Sequence, residues 1–328
     1  MGSVARDYMK QANPAEIMKL FNGGIYLSPT TRCNARCRHC ITREEDLVFI
    51  DADFNKVMDW IDQIHECGIN GLHFVGGEPF LVRDHLTRYI QKASELGIYT
   101  SVVTNAYWAK TLEDGIAVLK EMPGLDIIII SSDKYHLEFI DSQTVINAIE
   151  AGLATNKFVV MNTTYVEKSE LNEIQELYKA YKDTIIFQVV KAMPFPGPDA
   201  EKIVHYPYFQ MPNRVPKFCG IGNYFIDANG AVYACCQGSR SENTKYLMLG
   251  DLNQERLPDM DKRLKQNPVY RYIKKHGPRG LVTYFADSKY ADALYHKEFA
   301  GACDICHELL DNKEMYEYFL QGLGAEFS

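Results

Sequence analysis

The sequence predicts an α/β fold, and three observations carry that reading. From Gly24 to about Val190, short β-like runs alternate with amphipathic stretches of helical length. Glycines stand just past the last periodic residue of two such stretches, the usual helix stop. Strands separated by helices of this length form parallel βαβ units with right-handed crossovers. Six units are too few for a closed eight-stranded barrel, which leaves a partial (β/α)6 barrel or an open doubly wound sheet. Either one places a site in the loops at the C-terminal ends of the strands.

The elements follow in order. Strands are expected near Gly24–Ser28, Gly71–Val75, Ile98–Thr104, Leu125–Ser131, Lys157–Thr163 and Thr184–Val190. A helix over Phe54–Cys67 has Asp51 and Asp53 as candidate N-caps and stops at Gly68, and another over His85–Leu96 stops at Gly97. The run from Lys191 to Asp199 holds three prolines and cannot be regular structure. A boundary is therefore expected there, giving an N-terminal extension (1–23), a barrel unit (24–195) and a smaller second unit (196–328). In the second unit Tyr224–Asp227 and Ala231–Ala234 flank Ala228-Asn229-Gly230, a strong hairpin signal. Helices are expected over Leu257–Lys275 and Asn312–Leu323.

Composition narrows the function. The 328 residues include 35 Lys and Arg against 43 Asp and Glu, a formal net charge of −8. That balance argues against duplex DNA or an anionic membrane as partner, since both need a basic face. With 46% hydrophobic and 12% aromatic residues the chain can bury a sizeable core. No apolar run approaches the roughly 20 residues of a membrane span. Arg6, Asp7 and Lys10 stand where a signal peptide would be apolar. Arg6 also replaces the Ser or Thr that myristoylation at Gly2 wants. A soluble, cytoplasmic protein is expected.

Nine cysteines in a reducing compartment point to metal ligands or catalysts rather than disulfides. Cys33-Asn34-Ala35-Arg36-Cys37-Arg38-His39-Cys40 is a C-x3-C-x2-C loop directly after the first expected strand. Three thiolates on one tight loop can hold three irons of a cubane cluster and leave the fourth open. The competing reading is a structural zinc loop, which would have to crowd His39 in as the fourth ligand.

This loop, followed by Gly76-Gly77-Glu78-Pro79 after the second strand, resembles the radical S-adenosylmethionine (SAM) superfamily. The resemblance implies a partial (β/α)6, TIM-like barrel and a [4Fe–4S] cluster on Cys33, Cys37 and Cys40. It also implies that SAM chelates the open iron and is reductively cleaved to methionine and a 5′-deoxyadenosyl radical, which abstracts a substrate hydrogen. The Gly76-Gly77 pair would let the backbone approach the SAM amino group, and Glu78 would pair with it. By the family's layout Thr104-Asn105, Ser131-Ser132-Asp133 and Asn162 would line the SAM pocket. His39 stands where the family commonly has an aromatic, and its ring could pack beside adenine. A one-electron donor such as a flavodoxin or ferredoxin is also implied. Asn and Ser at strand ends are equally familiar as turn formers.

Cys219, Cys235, Cys303 and Cys306 offer four more thiolates, for which a four-cysteine zinc knuckle is the plain structural reading. Cys219-(x15)-Cys235, then Gly250-Asp251-Leu252, then Cys303-x2-Cys306 resembles the C-terminal twitch domain, a shortened relative of the SPASM domain. That resemblance implies an auxiliary [4Fe–4S] cluster with all four irons ligated, left with electron transfer or structural support. Cys236 stands beside a ligand, at a strand end expected to face the barrel mouth. A thiol S–H is weaker than an aliphatic C–H, so Cys236 could return a hydrogen atom to a substrate radical; otherwise it is a small buried hydrophobe. Cys67, inside a helical pattern, reads as core.

Thr104-Asn105-Ala106-Tyr107-Trp108, Ser132 to His136, and Tyr233-Ala234-Cys235-Cys236 resemble the twitch-type radical SAM epimerases that modify ribosomally made peptides, where the second cysteine is the hydrogen donor. The sequence is also similar to twitch enzymes of aminoglycoside biosynthesis. Three functions remain open: a peptide epimerase using Cys236; a dehydrogenase or epimerase of an aminoglycoside or cyclitol alcohol; and a non-catalytic iron–sulfur or maturation protein. Tyr135 and His136 could supply a base, or form a turn. Asn223 replaces an acidic residue expected in the peptide epimerases.

Overall fold

Six short apolar runs become six parallel strands. The computed structural model describes residues 24–40, 48–192, 219, 222–235, 247–295 and 302–324. Strands β1 (Ile25–Leu27), β2 (Gly71–Phe74), β3 (Tyr99–Thr104), β4 (Ile127–Ser131), β5 (Phe158–Tyr165) and β6 (Ile186–Lys191) pair in sequence order. The sheet then continues past β1 into β7 (Phe225–Ile226), β8 (Ala231–Tyr233) and β9 (Met248–Asp251). β7 is parallel to β1, with Tyr26 opposite Phe225, while β8 and β9 are antiparallel. The sheet is open, as a partial barrel requires.

The crossover helices are α1 (Phe54–Glu66), α2 (Arg83–Glu95), α3 (Leu112–Lys120), α4 (Ser142–Ala154) and α5 (Lys168–Leu177). Four of the five starts are capped by side chains, the exception being α2, which Val82 begins without such a bond. Asp53 accepts from the Lys56 amide, Thr111 from Asp114 and Asp141 from Gln143, while Glu167 and Glu170 form a reciprocal capping box. Gly68 and Gly97 end α1 and α2 with φ of 71° and 78°, left-handed backbone that glycine adopts freely.

Strand alternation divides the sheet into two faces. Leu72, Phe74, Val102, Ile128, Ile130 and Met161 bury against the helices in the main core. Their neighbours Ile127, Ile129 and Val160, with Val103, Phe158 and Ile186, form a separate apolar cluster on the inner face.

The C-terminal part is helical: α6 (Leu257–Gln266), α7 (Pro268–Ala286), α8 (Ala291–Tyr295), α9 (Ala302–Asp311) and α10 (Lys313–Gly324). Its core contains Leu281, Phe285, Leu309, Leu310, Phe319 and Leu323, with Cys235 and Cys306 packed against it. The helix expected over Leu257–Lys275 is two helices. Asn267 accepts from the amides of Val269 and Tyr270, and Pro268 opens α7, where its missing N–H costs nothing. Among the described residues no helix is long and apolar enough to cross a membrane.

Candidate metal and cofactor site

β1 leads directly into the first cysteine loop, and the chain anchors that loop from two sides. Thr31 donates its amide to Ile50, and Arg32 forms an ion pair with Asp51 at 2.7 Å. On the other side the amides of Gly77 and Glu78 bond the carbonyls of Thr30 and Arg32 at 2.9 and 2.7 Å. A Cβ on Gly77 would meet the Arg32 carbonyl oxygen at 1.9 Å, and one on Gly76 would meet the Thr30 oxygen at 2.6 Å. The glycine pair is therefore needed by the protein itself, because it packs on the backbone that enters Cys33.

Glu78 is 1% exposed and points back under this loop. Its carboxylate accepts from Thr104 Oγ1 at 2.8 Å, the Asn105 amide at 2.7 Å and the Phe80 amide at 3.2 Å. Burial pushes its pKa up to about 7, and those three bonds pull only partly against it. Asn105 reaches from the end of β3 to the cysteine loop, donating to Asn34 Oδ1 at 2.9 Å and lying 3.8 Å from Cys33 Sγ. Burial raises the Cys33 thiol to about 12, outweighing the bond from the Ala35 amide, while Glu78, Cys40 and Cys37 add to the rise. A bound metal reverses that balance by holding the thiolate.

The loop's far end meets β4. Asp133, 1% exposed, accepts at Oδ2 from His136 Nδ1 at 2.8 Å and His39 Nε2 at 3.2 Å. Burial opposes ionisation of Asp133, but His136 and His39 outweigh it and hold the carboxyl far below its usual range. Burial also disfavours a charged His136, yet Asp133 and then Cys37 raise its pKa well above normal. Strand alternation separates the remaining candidates. Asn162 shares the inner face with Val160, and its Oδ1 is buried with no partner. Ser132 is fully buried on the helix side and hydrogen-bonds Tyr178 at 2.8 Å. His39 Nδ1 is likewise buried without a partner.

The second thiol set is brought together by topology. Cys219 precedes β7, Cys235 follows β8, and Cys303 and Cys306 lie one turn apart on α9. Burial raises the Cys306 thiol well above its usual value, and Cys235, Cys303 and Cys219 stand close enough to add to the rise. Because β8 runs antiparallel to β1, Cys235 emerges at the end of the strands opposite to Cys33, and not at the barrel mouth where the sequence placed that strand end. Cys236 and the Pro-rich run 193–199 lie outside the described residues.

The donor chemistry fits the groups expected from the sequence. Three thiols on one loop suit a cluster with an open iron, and unpartnered His39 Nδ1 and Asn162 Oδ1 await a polar ligand beside it. The Cys306 thiol, with Cys235, Cys303 and Cys219 near enough to act on it electrostatically, offers the donor type of a closed centre. The Thr104 and Tyr178 contacts went unread in the sequence, since both join residues far apart in the chain; Asn34 could have been suspected as the only amide within the cysteine loop.

Comparison with known proteins agrees with this geometry. A family model for the radical SAM superfamily matches residues 27–181. The chain is 20% identical over 310 residues to YydG of Bacillus subtilis (strain 168), named for peptide biosynthesis, covering 92% of this chain and 96% of that one. A GTP 3′,8-cyclase of Listeria welshimeri is 28% identical over 186 residues, 52% of this chain and 54% of that protein. In fold the chain is similar to anSMEcpe with bound AdoMet and a Cp18Cys peptide (TM-score 0.54, 14% identity, 93% and 99% of the two chains). It is also similar to Streptococcus suis SuiB bound to the precursor peptide SuiA (TM-score 0.56, 16% identity, 79% and 69%). Residues 27–181, running from the last residue of β1 through the turn after α5, are a radical SAM domain.

Proposed function

We propose that this protein is a radical SAM enzyme that epimerises a residue of a peptide. In this reading Cys33, Cys37 and Cys40 hold the SAM-binding [4Fe–4S] cluster, and Cys219, Cys235, Cys303 and Cys306 hold an auxiliary one. When bound, the first cluster and SAM supply the means of taking a hydrogen atom from a substrate C–H bond. His39, Gly76, Gly77, Glu78, Asn105 and Asn162 surround SAM, with Asp133 acting behind them through His39, while Ser132, expected there from the sequence, turns to Tyr178 on the helix side. Cys236 breaks its S–H bond to form a new C–H on the other face of the carbon. The sulfur radical left behind regains an electron and a proton through a one-electron donor such as a flavodoxin or ferredoxin.

The observation that carries this reading is that Cys235, which follows β8, emerges at the end of the strands opposite to the loop of Cys33. A substrate between them meets the abstracting group from one side and the Cys235 segment from the other, the geometry that inversion needs. A peptide substrate is supported by the likeness to YydG over nearly the full length of both chains.

The test is deuterium incorporation from heavy water by reconstituted, reduced protein, comparing a peptide pool with an aminocyclitol pool. Uptake at one peptide Cα with inverted configuration is expected. Cys236→Ser should still consume SAM but leave the configuration unchanged. Turnover with aminocyclitols alone would move the substrate to carbohydrates, and unchanged inversion by Cys236→Ser would remove it as donor. About eight irons per chain are expected, falling to about four when Cys33, Cys37 and Cys40 are replaced by Ala. Zinc in place of the other four would overturn the auxiliary cluster.

A further inference from the structure

The sheet has two edges, and the chain treats them differently. β9 is guarded: its pairing with β8 slips register between Val232 and Tyr233, and Arg263 takes up the Leu249 carbonyl by donating to it at 2.6 Å. Bulges and charged side chains are the usual devices that keep an edge from pairing. β6 carries neither. It pairs with β5 in unbroken register from Val160–Ile186 to Tyr165–Lys191, and among the described residues no strand lies on its other side. The Ala192 amide donates to the Tyr165 carbonyl at 2.8 Å, which fixes the phase. Val190, Gln188 and Ile186 turn their backbone groups to β5, and Phe187 and Val189 turn theirs to the open side. Val189 and Val190 are 39% and 38% exposed, and the strand's one charge, Lys191, is its last residue.

That open edge is continuous with the candidate site. Gln188 stands opposite Asn162, and Val190 opposite Thr164, so both share the inner face with the buried, unpartnered Asn162 Oδ1. The exposed half of β6 is its C-terminal half, at the same end of the parallel strands as the Cys33 loop. A chain added here would lie about 5 Å beyond β6 and about 10 Å from β5, with every second side chain on the inner face beside Gln188.

We propose that the outer edge of β6 is the docking strand for the substrate peptide, which joins the sheet as an added strand and is thereby carried to the mouth beside Asn162. The inference rests on the reading that the substrate is a peptide. Backbone pairing supplies affinity, and the side chains turned to the inner face supply the choice. A cyclitol has no such backbone, so this edge serves only a peptide.

The experiment uses the reconstituted full-length protein with SAM and the pool peptide that takes up deuterium from heavy water, dye-labelled at one end for anisotropy. Saturating peptide should slow hydrogen exchange at the amides of Phe187 and Val189, read by mass spectrometry over residues 184–192. Val189→Pro removes an amide of the open side while its neighbours keep their bonds to β5. It should weaken peptide binding about tenfold, with Tm and SAM affinity unchanged. Val189→Thr keeps the amide and should bind as the parent does. Unslowed exchange, or full affinity in Val189→Pro, overturns the inference while leaving the peptide reading intact. Equal loss in Val189→Pro and Val189→Thr overturns it in favour of side-chain contact. A concentration-dependent dimer that Val189→Pro abolishes, with peptide affinity kept, gives the edge to a second copy and overturns it too. If Val189→Pro does not fold, the exchange measurement decides. Deuterium uptake by no peptide overturns the peptide reading, and this inference with it.

Discussion

Replacing Gly77 by Ala should unseat the first cysteine loop. The added Cβ would lie 1.9 Å from the Arg32 oxygen, 2.5 Å from the Arg32 carbonyl carbon and 2.7 Å from that of Thr31. All three are backbone atoms, so no side chain can swing aside. Restoring contact at about 3.5 Å requires a separation of about 1.5 Å. The same two segments share the bonds from Gly77 to Thr30 and from Glu78 to Arg32, which cannot survive that displacement. Overpacking costs about 1–3 kcal/mol and each lost hydrogen bond about 1, so the total is about 3–5 kcal/mol. At about 2 °C per kcal/mol for a chain of this size, the Tm of the metal-free protein should fall by about 6–10 °C. Reconstituted Gly77→Ala should also lose iron from the first site while keeping it at the second. Gly68→Ala is the control: its Cβ meets nothing within 4 Å, and only the strain of φ 71° remains, about 1–2 kcal/mol. A Gly77→Ala protein with unchanged Tm and full iron content would refute the reasoning, as would equal iron loss from both sites.

Three other outcomes are expected. Glu78 holds a proton in the folded chain that the unfolded chain releases above about 4.5, so its own contribution to metal-free stability is fully present only below that pH. It should decline on the order of 3 kcal/mol as pH rises through about 7; urea midpoints of Glu78→Gln should lack this decline. Ser132→Ala leaves the buried Tyr178 hydroxyl unpaired and should cost about 1–3 kcal/mol, with SAM affinity by calorimetry unchanged because Ser132 faces the helices. Asn267→Ala removes the cap of α7 and should cost about 1 kcal/mol in thermal unfolding, whereas Asn267→Asp should cost little.

Local signals carried much of the fold into the sequence. The strand at Ile127–Ser131 and the stops at Gly68 and Gly97 could be read because each depends on residues within one turn or one alternation. Where Pro268 follows Asn267, the periodicity carried the expected helix across a break that the cap chemistry imposes. Cys303 and Cys306 read as a knuckle, yet they lie on α9, where residues three apart share a face as readily as in a loop. The site was readable as ligand types and spacing but not as wiring. That Ser132 turns to Tyr178, and that His39 and His136 share Asp133, are facts of strand phase and long-range approach. The opposed placement of Cys235 and the Cys33 loop depends on β7 joining β1 in parallel, a pairing between residues distant in sequence that no motif announces.

That pairing also bears on how the chain reaches its folded form. Tyr26 and Ser28 donate their amides to the carbonyls of Tyr224 and Ile226 at 2.8 and 2.9 Å, across about 200 positions of sequence, so closing this contact carries one of the larger loop entropies in the molecule. Until it closes, β1 is an edge strand with open backbone groups, although the strand is central in the finished sheet. During synthesis the first cysteine loop therefore waits, attached to an unfinished edge, for most of the chain to arrive. A fragment cut after β6 would carry every residue of the first thiol set and still expose that edge, and it should self-associate more readily than the whole chain.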